Sequence, residues 1–138
     1  MIKSLDITPK LRIGDLQFHM ARVYVESLLG KSDEAEVIEG TDGEEVTLLQ
    51  YSTPSLSLFF SPDGTLSCID ISDANCTIWN TQIFGMTIQQ IQALIRTHGY
   101  TDFEINDEAW GERSLSVPSA GLDFYFEDDT LVSISMNP

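Results

Sequence analysis

The 138-residue chain repeats itself. Phe18 and Met20 align with Phe84 and Met86, Leu28 with Leu94, Leu49 with Leu115, and Leu56 and Phe60 with Leu122 and Phe126, at an offset of about 66 residues. Asp63 aligns with Asp129 at the same offset, and Thr65, Leu66 and Ile69 then align with Thr130, Leu131 and Ile134 one residue nearer, because the second copy lacks a partner for Gly64. Two units, 13–72 and 79–138, therefore take up nearly the whole chain. The length suits one domain made of two such repeats sharing a core. At 15.4 kDa about two thirds of the unfolded surface can be buried, leaving about 7,000 Å² exposed, so no disulfide or metal staple is required.

Each unit opens with a helix. In the second copy Thr87 and Gln90 form a capping box, Met86 and Ile91 sit where a hydrophobic staple belongs, and Ile88, Ile91, Leu94 and Ile95 make one apolar face that Gly99 ends. In the first copy Ala21 replaces the capping Thr, which predicts a helix that frays more readily before stopping at Gly30. Strands follow. Leu56, Leu58 and Phe60 alternate with Ser57, Phe59 and Ser61, and Leu122, Phe124 and Phe126 alternate with Asp123, Tyr125 and Glu127. Ser61-Pro62-Asp63-Gly64 and Asp128-Asp129 mark hairpins to the returning strands 66–71 and 131–136, where Leu66, Cys68 and Asp70 are expected on the face opposite Ile69. Earlier strands over 46–51 and 113–117 complete each unit. The fold class is α+β: two tandem helix-plus-antiparallel-meander repeats forming one sheet with helices packed on one face.

Charge is the second constraint. The chain carries 22 Asp and Glu against 7 Lys and Arg, a net charge of -15. That excess works against phosphate backbones and anionic membranes alike, so nucleic acid and membrane are excluded as partners and a basic protein is the natural complement. Five of the basic residues, Lys3, Lys10, Arg12, Arg22 and Lys31, fall in the first 31 positions, leaving that segment at about +2 and the rest at about -17. The acidity gathers in two stretches without a base, from Asp33 to Glu45 and from Asp102 to Glu112. Solvated loops or edge strands are the plain expectation for both. No stretch approaches the roughly 20 apolar residues of a membrane span, and Asp6 interrupts any secretory core, so a cytoplasmic protein is expected if Met1 is the native start. Cys68 and Cys76 are then expected as free thiols.

The pattern Phe18-His19-Met20, helix, Leu28-Leu29-Gly30, acidic turn, strand, hairpin, strand, repeated from Phe84-Gly85-Met86-Thr87, resembles the unit of the beta-lactamase inhibitor proteins and the SmpA/OmlA outer-membrane lipoproteins. The second copy keeps the family's Gly-Met-Thr, whereas the first departs to His19-Met20-Ala21. The resemblance implies one antiparallel sheet with helices behind it and a partner protein gripped by the open face and its loops. Motifs of this kind speak to fold more than to function.

Nothing in the sequence signals catalysis, a metal or a cofactor. His19 and His98 stand 79 residues apart without a nucleophile motif, and the run from Asp70 to Asn75 lacks the spacing of a calcium loop. His98 reads as structural at the end of a helix, and His19 as an oddity in a glycine position. Binding is better signalled. Phe59 and Tyr125 fall at equivalent places on the face opposite the core, with Leu48 expected on a neighbouring strand, and Trp110 lies among acids. Phe59 and Tyr125 could also stack on each other as a second small cluster. Aromatic anchors ringed by charge are what protein interfaces use. The expected partner-binding residues are Leu48, Phe59, Tyr125, Trp110, Glu44, Glu45, Asp107 and Glu108, in an acidic module that is not an enzyme and inhibits, or confers immunity to, a basic protein. The alternative is a self-associating homodimer through the exposed sheet face.

Overall fold

A computed structural model of the chain describes residues 4–107 and 112–138. Two helices and thirteen strands run through them in the order β1 (Asp6–Thr8), β2 (Arg12–Ile13), β3 (Leu16–Gln17), α1 (Arg22–Leu29), β4 (Glu34–Glu39), β5 (Glu45–Ser52), β6 (Ser55–Phe60), β7 (Leu66–Ile71), β8 (Thr77–Ile78), β9 (Thr81–Gln82), α2 (Ile88–Thr97), β10 (Glu104–Asp107), β11 (Glu112–Val117), β12 (Leu122–Glu127) and β13 (Thr130–Met136). The architecture is mixed and sheet-rich. Eight strands form an antiparallel sheet in the order β10-β11-β12-β13-β7-β6-β5-β4. Each half is a four-stranded meander, and β7 meets β13 through Ile71 opposite Ile134, Asp70 opposite Ser135 and Ile69 opposite Met136.

One sheet was expected and two are present. The second has the order β3-β2-β1-β8-β9 and joins the N-terminal segment to the segment between the halves through a parallel pairing of Ile7 with Ile78. Strands of two or three residues carry too little alternation to be read from sequence.

The two acidic stretches are neither long loops nor partners of the core. They contain β4 and β10, the outer strands of the large sheet. All the described residues of these two strands are exposed or nearly so. Carboxylates on an edge keep its unpaired backbone groups from recruiting another chain.

The apolar face of the large sheet is lined by Leu49, Leu58, Phe60, Ile69, Ile71, Leu115, Phe124, Phe126 and Ile134, all at most 1% exposed. They share a single buried cluster with Val25 of α1, with Ile88, Ile91 and Ile95 of α2, and with Ile7, Ile13 and Ile78 of the small sheet. Removing side chains of this size from water stabilises by roughly 1.5–3 kcal/mol each. The accessible surface, 7652 Å², is close to what a chain of this mass is expected to keep.

The halves differ where the sequence differs. In α2 the Gln90 N–H donates to Thr87 Oγ1 at 3.2 Å and the Thr87 N–H to Gln90 Oε1 at 2.9 Å, closing the capping box. Ala21 holds the same extended conformation, φ -71 and ψ 151 against -77 and 164 for Thr87, but offers no acceptor. The hairpins explain the missing residue. Asp128 and Asp129 both take positive φ, 50° and 60°, the two-residue turn that suits twisted strands, whereas the first hairpin adds a residue and places Gly64 at φ 84. Just beyond each turn a β-bulge shifts the register, between Phe59 and Phe60 and between Tyr125 and Phe126. The bulge corrects the expectation for Leu66. It turns inward and is fully buried instead of sharing the face of Cys68.

Candidate functional site

The face of the large sheet opposite the core is built from every second residue of its strands, so the strand registers place its side chains directly. Leu48 of β5 lies across from Phe59 of β6, and Phe59 across from Cys68 of β7. In the other half Ser114 of β11 lies across from Tyr125 of β12, and Tyr125 across from Ser133 of β13. Between these rows runs a polar one: Gln50, Ser57, Asp70, Ser135, Asp123 and Ser116 follow one another across six strands.

The registers separate residues that the sequence grouped. β7 and β13 are antiparallel, so Phe59 lies on one side of the polar row and Tyr125 on the other, three strands away. With about 4.8 Å between strands and 3.4 Å per residue they are roughly 20 Å apart. They cannot stack on each other. The alternative of a second aromatic cluster gives way to two separate aromatic positions. Tyr125 is 40% exposed and Phe59 partly so, while Leu48, expected at the surface, is buried at 8%.

The acidic positions divide in the same way. Glu44 and Glu45 belong to the β4–β5 hairpin, where the Asp42 N–H donates to the Glu44 carboxylate at 2.9 Å. Asp107 ends β10 and takes a hydrogen bond and ion pair from Arg113 Nε at 2.8 Å. Following the strand directions puts these two hairpins at opposite ends of the sheet. Glu108 and Trp110 lie outside the described residues. Each half therefore sets one aromatic, Phe59 half-buried and Tyr125 exposed, on the same side of the polar row as the acidic end of its outer strand pair.

Asp70 is the residue of this face that sequence reasoning passed over. Burial pushes its carboxyl above the ordinary carboxylate range, Ser135 and Cys68 work against that rise by hydrogen bonding, and the charge of Asp123 adds to it. The Cys68 Sγ lies 3.6 Å from Ser135 Oγ. Burial raises that thiol to about 11 and the enclosed Cys76 to about 12, so both are protonated at neutral pH. Both cysteines are free, as expected.

The histidines part company. His98 stacks on Trp79 with ring centroids 3.8 Å apart and planes within 4°, a packing role at the end of α2. His19 takes φ 73 where its counterpart Gly85 takes φ 93. Both N–H groups donate to the returning strand of their own half, His19 to the Leu66 carbonyl at 2.8 Å and Gly85 to the Leu131 carbonyl at 3.4 Å. The left-handed backbone at His19 was signalled by that glycine.

Among the described residues no three His, Cys, Asp or Glu side chains come together in a group able to hold a metal ion. Asp73, in the run considered for calcium, accepts instead from the Ser55 and Asn75 N–H groups at 3.0 and 2.9 Å. No helix among the described residues is long and apolar enough to cross a membrane. No family model, curated protein or solved structure matches the chain.

Proposed function

We propose that the chain is an acidic, non-enzymatic protein-binding module that inhibits, or confers immunity to, a basic partner. Two tandem helix-plus-meander units, with their helices behind one sheet, would present the opposite face to that partner, as the resemblance to the beta-lactamase inhibitor proteins implies. The observation that carries the reading is the arrangement of the open face. Two aromatic patches, Phe59 and Tyr125, lie about 20 Å apart across a polar row, each on the side of its own acidic hairpin. An interface of ordinary size, roughly 800 Å² per side, is wide enough to engage both. Aromatic anchors would supply affinity, and the acids orientation and encounter rate.

A homodimer through the same face would press two acidic surfaces together, which its net charge of -15 opposes. Affinity capture from a lysate of the source tests the reading. The immobilised chain should retain a basic protein at low salt, and the double variant Phe59→Ala with Tyr125→Ala should lose it while light scattering reports a monomer. Retention of nothing, or of a protein indifferent to both salt and the double variant, sinks the proposal, and a constitutive dimer that the double variant dissociates establishes the homodimer instead.

A further inference from the structure

Two of the basic residues of the first segment, Lys10 and Arg12, line a hollow with His19. Gln17 completes its polar lining, exposed Leu11 gives it an apolar surface, and Phe18, a core residue 7% exposed, lies beneath. Lys10 and Leu11 belong to the turn between β1 and β2, Arg12 opens β2, Gln17 ends β3 and His19 leads into α1, so the small sheet and the start of the first unit build the hollow jointly. No carboxylate lines it. Three other hollows of the described surface include acids: Asp6 and Asp15 in one, Asp33 and Glu34 in the next, Glu112 and Glu127 in the third. In a chain of net charge -15 a hollow with three basic groups and no acid is the exception.

Its cations are uncommitted. Arg12 also borders the hollow of Asp6 and Asp15, yet among the described residues the ion pairs within 4 Å are Arg22 with Glu26 and Arg113 with Asp107. Asp63 feels the charge of His19. Hydrogen bonds from Ser61 and Thr65 hold it below the ordinary carboxylate range, and the charge of His19 adds a smaller contribution.

Lys10 and His19 both adopt the left-handed conformation, φ 67 and 73, at residues with a β-carbon. At His19 that conformation belongs to the turn, which Gly85 makes in the second half, so the backbone does not call for the exposed imidazole. The second half, with Gly85 in the place of His19, meets the same backbone requirement without an imidazole.

A guanidinium offers two parallel donors, an ammonium three, and an imidazole at least one in either protonation state. That set matches the oxygens of a phosphate group better than a single carboxylate. We propose that the hollow binds a small phosphate ester, with Arg12 and Lys10 on the phosphate, His19 donating to it, and exposed Leu11 against the organic part. The surrounding body, at about -17, repels an anionic bilayer, which favours a soluble ester over a lipid headgroup. This site is independent of the open sheet face and stands or falls separately from the proposed function.

Amide chemical shifts of the full chain, followed during titration with inorganic phosphate and with glycerol 3-phosphate at constant ionic strength, test it. Saturable changes concentrated in residues 10–19 are expected. Arg12→Gln should weaken binding roughly tenfold or more. His19→Gly, which gives that backbone the residue it favours, should weaken it as well while the rest of the spectrum stays unchanged. Changes that never saturate, that sodium chloride reproduces, or that both variants leave intact overturn the proposal. So does binding to phosphatidylglycerol vesicles without binding to either soluble phosphate.

Discussion

At Asp70 the chain keeps a carboxylate where burial opposes its charge, in the middle of the face proposed for binding. Its folded pKa is raised, so the folded state holds that proton more tightly than the unfolded chain does. The group therefore costs stability when ionised, and the cost fades as pH falls through the raised pKa toward the ordinary carboxylate value near 4. Asp70→Asn is expected to be more stable than the wild type at pH 7. The gap should close below about pH 4, as read from urea unfolding at several pH values; a gap of constant size across that range would show that ionisation is not its cause. Asp33 and Asp102 behave in the opposite sense. Hydrogen bonds from Ser52 and Ser119 hold them below the ordinary range, so their stabilisation is present above the unfolded pKa and lost as pH falls through the folded one. That Asp70 faces away from Ile69 was legible from alternation alone. Its neighbours Ser135 and Asp123 were not, because they come from β13 and β12 across a pairing that joins the two halves of the chain.

The elements divide by how local their signals are. Helix α2 was legible down to its capping box, because cap, staple and apolar face all lie within one short stretch of chain. The strands of the two meanders were legible from their alternation, except where bulges beyond the hairpins break it and turn Leu66 inward. The five short strands of the second sheet were not, since β1 and β8 are joined only by a long-range parallel pairing. Edge strands β4 and β10 were left undecided between loop and strand because carboxylates occupy both of their faces. A consequence belongs to α1, whose N-terminus shares the backbone of the α2 cap without its side chain. Ala21→Thr should stabilise the protein by about 0.5–1 kcal/mol, and Thr87→Ala should cost about 1 kcal/mol. Denaturant midpoints of the two variants check this. An unchanged midpoint for Ala21→Thr would mean that the bridge from Ala21 to Thr65 already holds the helix start as firmly as a cap can.

Across the whole molecule, the central pairing of β7 with β13 fixes where each half carries its aromatic and its acids. It joins two meanders edge to edge, so the aromatics and the acidic hairpins are carried to opposite sides of the polar row instead of converging. The inner strands of both halves were legible in the sequence; the distance between Phe59 and Tyr125 was not, because it follows from the direction in which the halves meet. The remaining charge asymmetry also becomes spatial. The acids dominate the edges of the large sheet, and Lys10 and Arg12 of the first segment lie together in and beside the small one. An acidic body that recruits a basic partner has to draw it in through solvent, where the attraction is screened within about 8 Å at physiological salt. The association rate of the captured partner, measured by stopped flow from about 50 to about 500 mM salt, therefore tests the account most directly. The rate should fall at least about tenfold over that range while dissociation changes little; an association rate independent of salt would contradict electrostatic recruitment by the acidic body.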